Sequence, residues 1–229
     1  MKAQLLVPAA GAGARLGADA PKALVDLEGK PMLARTIERA ALPEFRLPVI
    51  ITAPPDLLET FRDALRPWFA DAAFRLVAGG AERQLSVANG LAEIDPDTEI
   101  VAIHDAARPF VAAESIRASI LAAAEYGAAT VAVPVTDTIL EAGGAGFLAR
   151  TPDRRTLWAC QTPQTFRTAV IRDAHRCAAR EGTLLTDDAS LAQRYGAEVK
   201  LVPGTPFNFK VTTAADLHLA RIIVREGLA

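Results

Sequence analysis

Leu5-Leu6-Val7-Pro8-Ala9-Ala10-Gly11-Ala12-Gly13-Ala14-Arg15-Leu16-Gly17-Ala18-Asp19-Ala20-Pro21-Lys22-Ala23-Leu24 decides how the rest of the chain is read. The apolar run from Ala3 to Val7 predicts a buried strand. A loop of small residues follows, in which Gly11, Gly13 and Gly17 let backbone N–H groups approach a ligand closely. Arg15 and Lys22 add two cations to the same loop. Small residues and fixed positive charge directly after a strand describe a cradle for a polyphosphate; a plain strand-connecting turn is the alternative.

Two common phosphate loops are excluded by spacing. A dinucleotide fingerprint needs its third glycine three places after the second, and that place is Leu16. A P-loop needs Gly-Lys-Ser/Thr after four spacer residues, and no such triplet occurs here.

Working outward, 229 residues with 51% hydrophobic content suit one α/β domain with a substantial core. A net charge of −2 gives no electrostatic reason to expect nucleic-acid binding. Cys160 and Cys177 form neither a disulfide framework nor a zinc motif. Free thiols and no signal peptide point to the cytoplasm, and the apolar runs are too short for a membrane span.

Strand-like runs at 48–52, 74–78, 100–104, 129–135 and 197–202 alternate with helical patterns at 31–42, 56–65, 82–94 and 114–126. That alternation predicts a Rossmann-like, mostly parallel twisted sheet with helices on both faces, and a ligand site beyond the strands' carboxyl ends. Helical periodicity resumes at 165–180, 186–195 and 214–226, the last expected to pack Leu217, Leu219, Ile222 and Ile223 on the sheet. The stretch from about 136 to 158 breaks the rhythm. There 138–141 and 147–150 flank Gly143-Gly144-Ala145-Gly146, which reads as a β-hairpin, either a protruding arm or a surface excursion.

Further motifs carry chemistry. Gly79-Gly80-Ala81-Glu82-Arg83-Gln84-Leu85-Ser86 brings a strand end to a helix start and puts Arg83 and Ser86 on one face, where amides and a hydroxyl can read a base edge. His104-Asp105-Ala106-Ala107-Arg108-Pro109 puts Asp105 at the carboxyl end of a buried strand. One carboxylate there is sufficient to meet Mg²⁺ that also binds substrate phosphates. Arg108 lies within reach of a second phosphate or a hydroxyl, and His104 reads as structural. Trp158 reads as core or dimer packing. Thr186-Asp187-Asp188 reads as a capped helix start, and Lys210 reads as a cation near a strand end in an apolar setting.

Pro8-Ala9-Ala10-Gly11…Gly13…Arg15…Pro21-Lys22 resembles the signature of the GT-A-like nucleotidyltransferases, and the later motifs resemble the methylerythritol-phosphate cytidylyltransferase family within it. The resemblance covers nearly the whole chain. It implies CTP bound by Pro8, Ala9, Ala10, Gly11, Ala12, Gly13, Arg15, Lys22, Gly80, Arg83 and Ser86. It implies an alditol phosphate bound by Asp105, Arg108, Arg154, Thr162, Thr186 and Lys210, with Arg154 reaching in from another subunit's arm. It further implies catalysis by Arg15, Lys22 and Lys210, a magnesium ion on Asp105, and a homodimer built through the arm. Members often carry a polar residue where this chain has Ala81. A ribitol 5-phosphate cytidylyltransferase shares most of these motifs, and a non-catalytic nucleotide-binding protein is the reading from another class.

Overall fold

A computed structural model describes residues 1–11 and 21–228. Its main sheet is built from β1 (Ala3–Pro8), β2 (Phe45–Ala53), β3 (Phe74–Ala78), β4 (Ile100–Ile103), β5 (Ala128–Pro134), β8 (Trp158–Arg167) and β9 (Val199–Pro203). These seven strands lie in the order β3-β2-β1-β4-β8-β5-β9. Every neighbouring pair is parallel except those of β8, which runs antiparallel between β4 and β5. A separate small hairpin pairs β6 (Glu141–Ala142) with β7 (Leu148–Arg150).

The central strands are apolar on both sides because both sides are covered. On β1, Ala3, Leu5 and Val7 face a core built with α1 (Met32–Ala40), α2 (Leu58–Leu65) and α4 (Ala113–Tyr126). Leu6 faces the opposite core, built with α3 (Arg83–Ala92), α5 (Thr168–Glu181) and α6 (Asp188–Arg194). Gly90 of α3 rests directly on Leu6, where an added Cβ would lie 2.3 Å from Leu6 Cδ1.

Four expectations are corrected. The stretch 165–180 is not one helix: β8 continues to Arg167 and α5 starts at Thr168, because Phe166 and Thr165 are buried in pairing with both β4 and β5. The closing helix, α7 (Ala214–Glu226), packs on Met32, Phe110 and Val211 rather than on the sheet, and Leu219 and Ile222 face outward. The hairpin exists around the glycine-rich turn but is shorter than expected. Trp158, at its base, is 38% exposed and so is not a core residue.

Candidate active site

The carboxyl ends of β1, β3 and β4 open into a cavity of about 270 Å³. Pro8, Ala9, Ala10 and Gly11 line one wall, Gly80, Arg83 and Ser86 another, and Asp105, Lys22 and Lys210 the remainder. Thus ten of the residues singled out from sequence share one hollow. Ala12, Gly13 and Arg15 lie outside the described residues.

Backbone pairing carries on past the strands to shape these walls. The Ala9 N–H donates to the Thr52 carbonyl at 2.7 Å, and the Gly79 N–H donates to the Ala53 carbonyl at 2.8 Å. Gly79 is required by proximity, since a Cβ there would stand 2.4 Å from Ala10 Cβ. Ser86 is buried and fixes the turn, its Oγ accepting the Gly80 N–H at 3.0 Å. Arg83 and Ser86 therefore leave the start of α3 for different tasks.

Asp105 is the electrostatic centre. Lys210 Nζ lies 2.7 Å from its Oδ2, Arg83 Nε 3.2 Å from its Oδ1, and Arg108 Nε 3.9 Å from its Oδ2. Burial alone would raise the Asp105 pKa, but Arg83 and then Lys210 and Arg108 outweigh it and hold the carboxyl well below the usual carboxylate range. Lys210 is not enclosed as its apolar neighbours in sequence imply: its side chain is 40% exposed, facing the cavity. It is brought there by the Val211 N–H, which donates to the Ala107 carbonyl at 2.9 Å and clips the segment before α7 to the loop after β4.

Behind Asp105 stands a buried polar chain. The His104 N–H donates to the Leu6 carbonyl, extending the β1–β4 pairing by one step. Its Nε2 faces the Arg108 carbonyl at 3.0 Å and so must carry the proton, which leaves Nδ1 to accept the Thr162 hydroxyl at 2.9 Å. Thr162 Oγ1 in turn accepts the Asp105 N–H at 3.0 Å. Burial lowers the His104 pKa to about 4, so the ring is neutral, in keeping with a structural histidine. Thr162 is buried, outside the residues that line the cavity, and it orients Asp105 from the rear. Arg108 is likewise turned inward, donating to the Asn208 carbonyl at 2.6 Å and the Cys160 carbonyl at 3.3 Å.

One participant was missed at the sequence level. Asp187 caps α6 as expected, accepting the Ser190 N–H. Asp188 is instead a buried ion-pair partner, 2.7 Å from Arg83 Nη1 and 3.3 Å from His175 Nε2. Burial alone would raise its pKa, but Arg83 and His175 outweigh that and hold it below the usual carboxylate range. A capping motif and a buried pair look alike in sequence, and only the arrival of α3 beside α6 separates them.

The whole of this architecture can be set beside known proteins. A family profile described as 2-C-methyl-D-erythritol 4-phosphate cytidylyltransferase, IspD, matches residues 3–226. The chain belongs to the IspD family. A relative of that name from Caldanaerobacter subterraneus subsp. tengcongensis is 43% identical over 227 residues, spanning 99% of this chain and 100% of the relative. Another, from Geobacillus kaustophilus, is 41% identical over 229 residues and spans 100% of both. The crystal structure of 2-C-methyl-D-erythritol 4-phosphate cytidylyltransferase from Thermus thermophilus matches with a TM-score of 0.80 at 33% identity, covering 98% of this chain and 100% of that one. The fold is thus that of IspD enzymes, which are nucleotidyltransferases.

Like Thr162 and Arg108, two further residues expected at an IspD acceptor site lie apart from the cavity wall of this chain. Thr186 is exposed on the loop before α6. Arg154 is exposed beside the arm, donating to the Thr136 carbonyl at 2.7 Å. Among the described residues, no group of three His, Cys, Asp or Glu side chains is placed to hold a metal, and no helix is long and apolar enough to cross a membrane.

Proposed function

We propose that this chain transfers the cytidylyl group of CTP to 2-C-methyl-D-erythritol 4-phosphate, giving 4-diphosphocytidyl-2-C-methyl-D-erythritol and pyrophosphate for isoprenoid precursor synthesis in the cytoplasm. The observation that carries the reading is Asp105 flanked by Lys210, Arg83 and Arg108, in a cavity that Lys22 and residues Pro8–Gly11 also line. The cavity lining sets Lys22, Arg83 and Lys210 against Glu82 and Asp105, a net positive balance that suits a triphosphate and a phosphate monoester together.

A phosphate oxygen of the acceptor attacks the α-phosphorus of CTP, forming one P–O bond as the bond to pyrophosphate breaks. That oxygen is already ionised near neutral pH, so no general base is needed, and catalysis rests on alignment and charge neutralisation. Lys22, Arg15 and Lys210 neutralise the α-phosphoryl oxygens. Asp105 aims the Lys210 ammonium into the cavity. The Gly80 turn, fixed by Ser86, together with Arg83, forms the base end.

Magnesium fits this donor set as a passenger of the nucleotide. Asp105 is one ionised carboxylate whose oxygens retain lone pairs beside Lys210 and Arg83, and one carboxylate plus substrate phosphates is a usual magnesium environment. When bound, the ion supplies further charge neutralisation at the phosphates. The arm supports a homodimer: Leu140, Phe147 and Leu148 are exposed by 61%, 76% and 62%, which suits burial against a second copy. Arg154, beside that arm, then serves the partner's acceptor phosphate.

Pyrophosphate release from CTP and Mg²⁺ tests the reading across a panel of acceptors. Release with methylerythritol phosphate well above that with ribitol 5-phosphate is expected. Preference for ribitol 5-phosphate overturns the acceptor, and silence with every alditol phosphate overturns the enzyme reading.

A further inference from the structure

We infer that Asp188 is a positioning residue for cytidylyl transfer: it anchors the far edge of Arg83 so that this guanidinium meets Asp105 with its Nε and leaves the Lys210 side of that carboxylate facing the cavity. The inference rests on the proposed function.

Arg83 spans two carboxylates, with Nη1 2.7 Å from Asp188 Oδ2 and Nε 3.2 Å from Asp105 Oδ1. The shorter contact is to Asp188, which is 1% exposed and cannot exchange its partner for water. Asp188 is itself held on several sides. His175 Nε2 lies 3.3 Å from its Oδ1, its N–H donates to Gln164 Oε1 at 2.8 Å, and Gln164 Nε2 donates to the capping Asp187 at 3.1 Å. The neighbouring Gln84 repeats the tie: its amide donates to the Thr183 carbonyl at 2.9 Å and accepts the Leu185 N–H at 2.8 Å. Two consecutive residues at the start of α3 therefore grip the 183–188 loop, and only the first also reaches the cavity. Without Asp188, Arg83 keeps a single carboxylate and a free fork, which is then drawn toward Asp105 and the nucleotide phosphates. It competes there with Lys210.

Asp188→Asn, nearly isosteric, is compared with wild type in steady-state pyrophosphate release, with rates normalised to sites that bind CTP. Turnover per site is expected to fall about 10–100-fold, the range seen when a metal ligand loses its outer hydrogen-bond partner, while the CTP KM stays level or drops. A purely structural role would lower the number of competent sites and leave turnover per site intact; that result overturns the inference, as does a raised CTP KM with normal turnover. An inactive wild type would instead sink the proposed function. If Asp188→Asn fails to fold, Asp188→Glu decides: it keeps the buried carboxylate and its charge but displaces it from Arg83 Nη1, so lowered turnover per CTP-binding site supports the inference and normal turnover overturns it.

Discussion

Replacing Lys210 by Met separates catalysis from folding. In the structure Lys210 Nζ sits 2.7 Å from Asp105 Oδ2 with its side chain 40% exposed. Partial exposure screens the pair, so its contribution to stability is about 1 kcal/mol or less. For a chain of this length that is a melting shift of about 2–4 °C. Asp105 also keeps Arg83 and Arg108, so it is not left as an uncompensated buried charge. The rate should respond differently, because a preorganised donor at developing phosphoryl charge is worth about 10²–10³ in turnover, or roughly 3–4 kcal/mol. Pyrophosphate release with saturating CTP and acceptor gives one quantity and thermal unfolding in the same buffer the other. Turnover within a few-fold of wild type would refute the catalytic role. So would a melting temperature lowered so far that loss of folded protein explains the loss of rate.

The buried His104 makes stability depend on pH. Its pKa is lowered from 6.5 to about 4, so the folded state resists a proton that the unfolded chain accepts. Stability is full above about pH 6.5 and falls between there and about pH 4, by about 3 kcal/mol in all; urea unfolding at pH 7.5 and 4.5 should show this slope, and His104→Asn should flatten it. Asp105 and Asp188, both lowered, add a further loss below about pH 4, as falling pH approaches their folded values. Titrating the protein calorimetrically with Mg²⁺ alone should give no heat, while CTP and Mg²⁺ together should bind; strong binding of the metal by itself would require a ligand set beyond Asp105. Gly79→Ala, with its Cβ 2.4 Å from Ala10 Cβ, should cost about 1–3 kcal/mol of stability and raise the CTP KM; an unchanged KM would free that wall from nucleotide contact. Phe147→Asp should shift sedimentation to the monomer, and a wild-type sedimentation profile would remove the arm from the interface.

Much of this was legible because the cues were local. A strand's apolar run, a glycine-rich loop and a motif ending in Asp105 are each contiguous, and a parallel sheet converges such loop residues at one end. The misses share a different cause. Nothing within 158–167 distinguishes a strand from a helical start; its state is decided by β4 and β5, which pair with it from 61 and 34 positions away in the register Ile103 to Gln164 and Thr130 to Gln164. The same is true of Asp188, whose partner Arg83 is 105 residues distant. On α7, the apolar periodicity was right about a helix and wrong about its partner, because Met32, Phe110 and Val211 were already waiting beside the sheet.

The placement of β8 has a consequence for how the chain is made. Strands β3, β2, β1 and β4 are all complete by Ile103 and lie side by side, so a nascent chain can assemble this half early. β5 is translated next, yet both of its neighbours, β8 and β9, come later. As it leaves the ribosome, an apolar ribbon ending at Pro134 therefore has no mate. Synthesis stalled before Trp158 would leave that ribbon open to sticking to other chains, until one reversed strand slots in and joins the two halves.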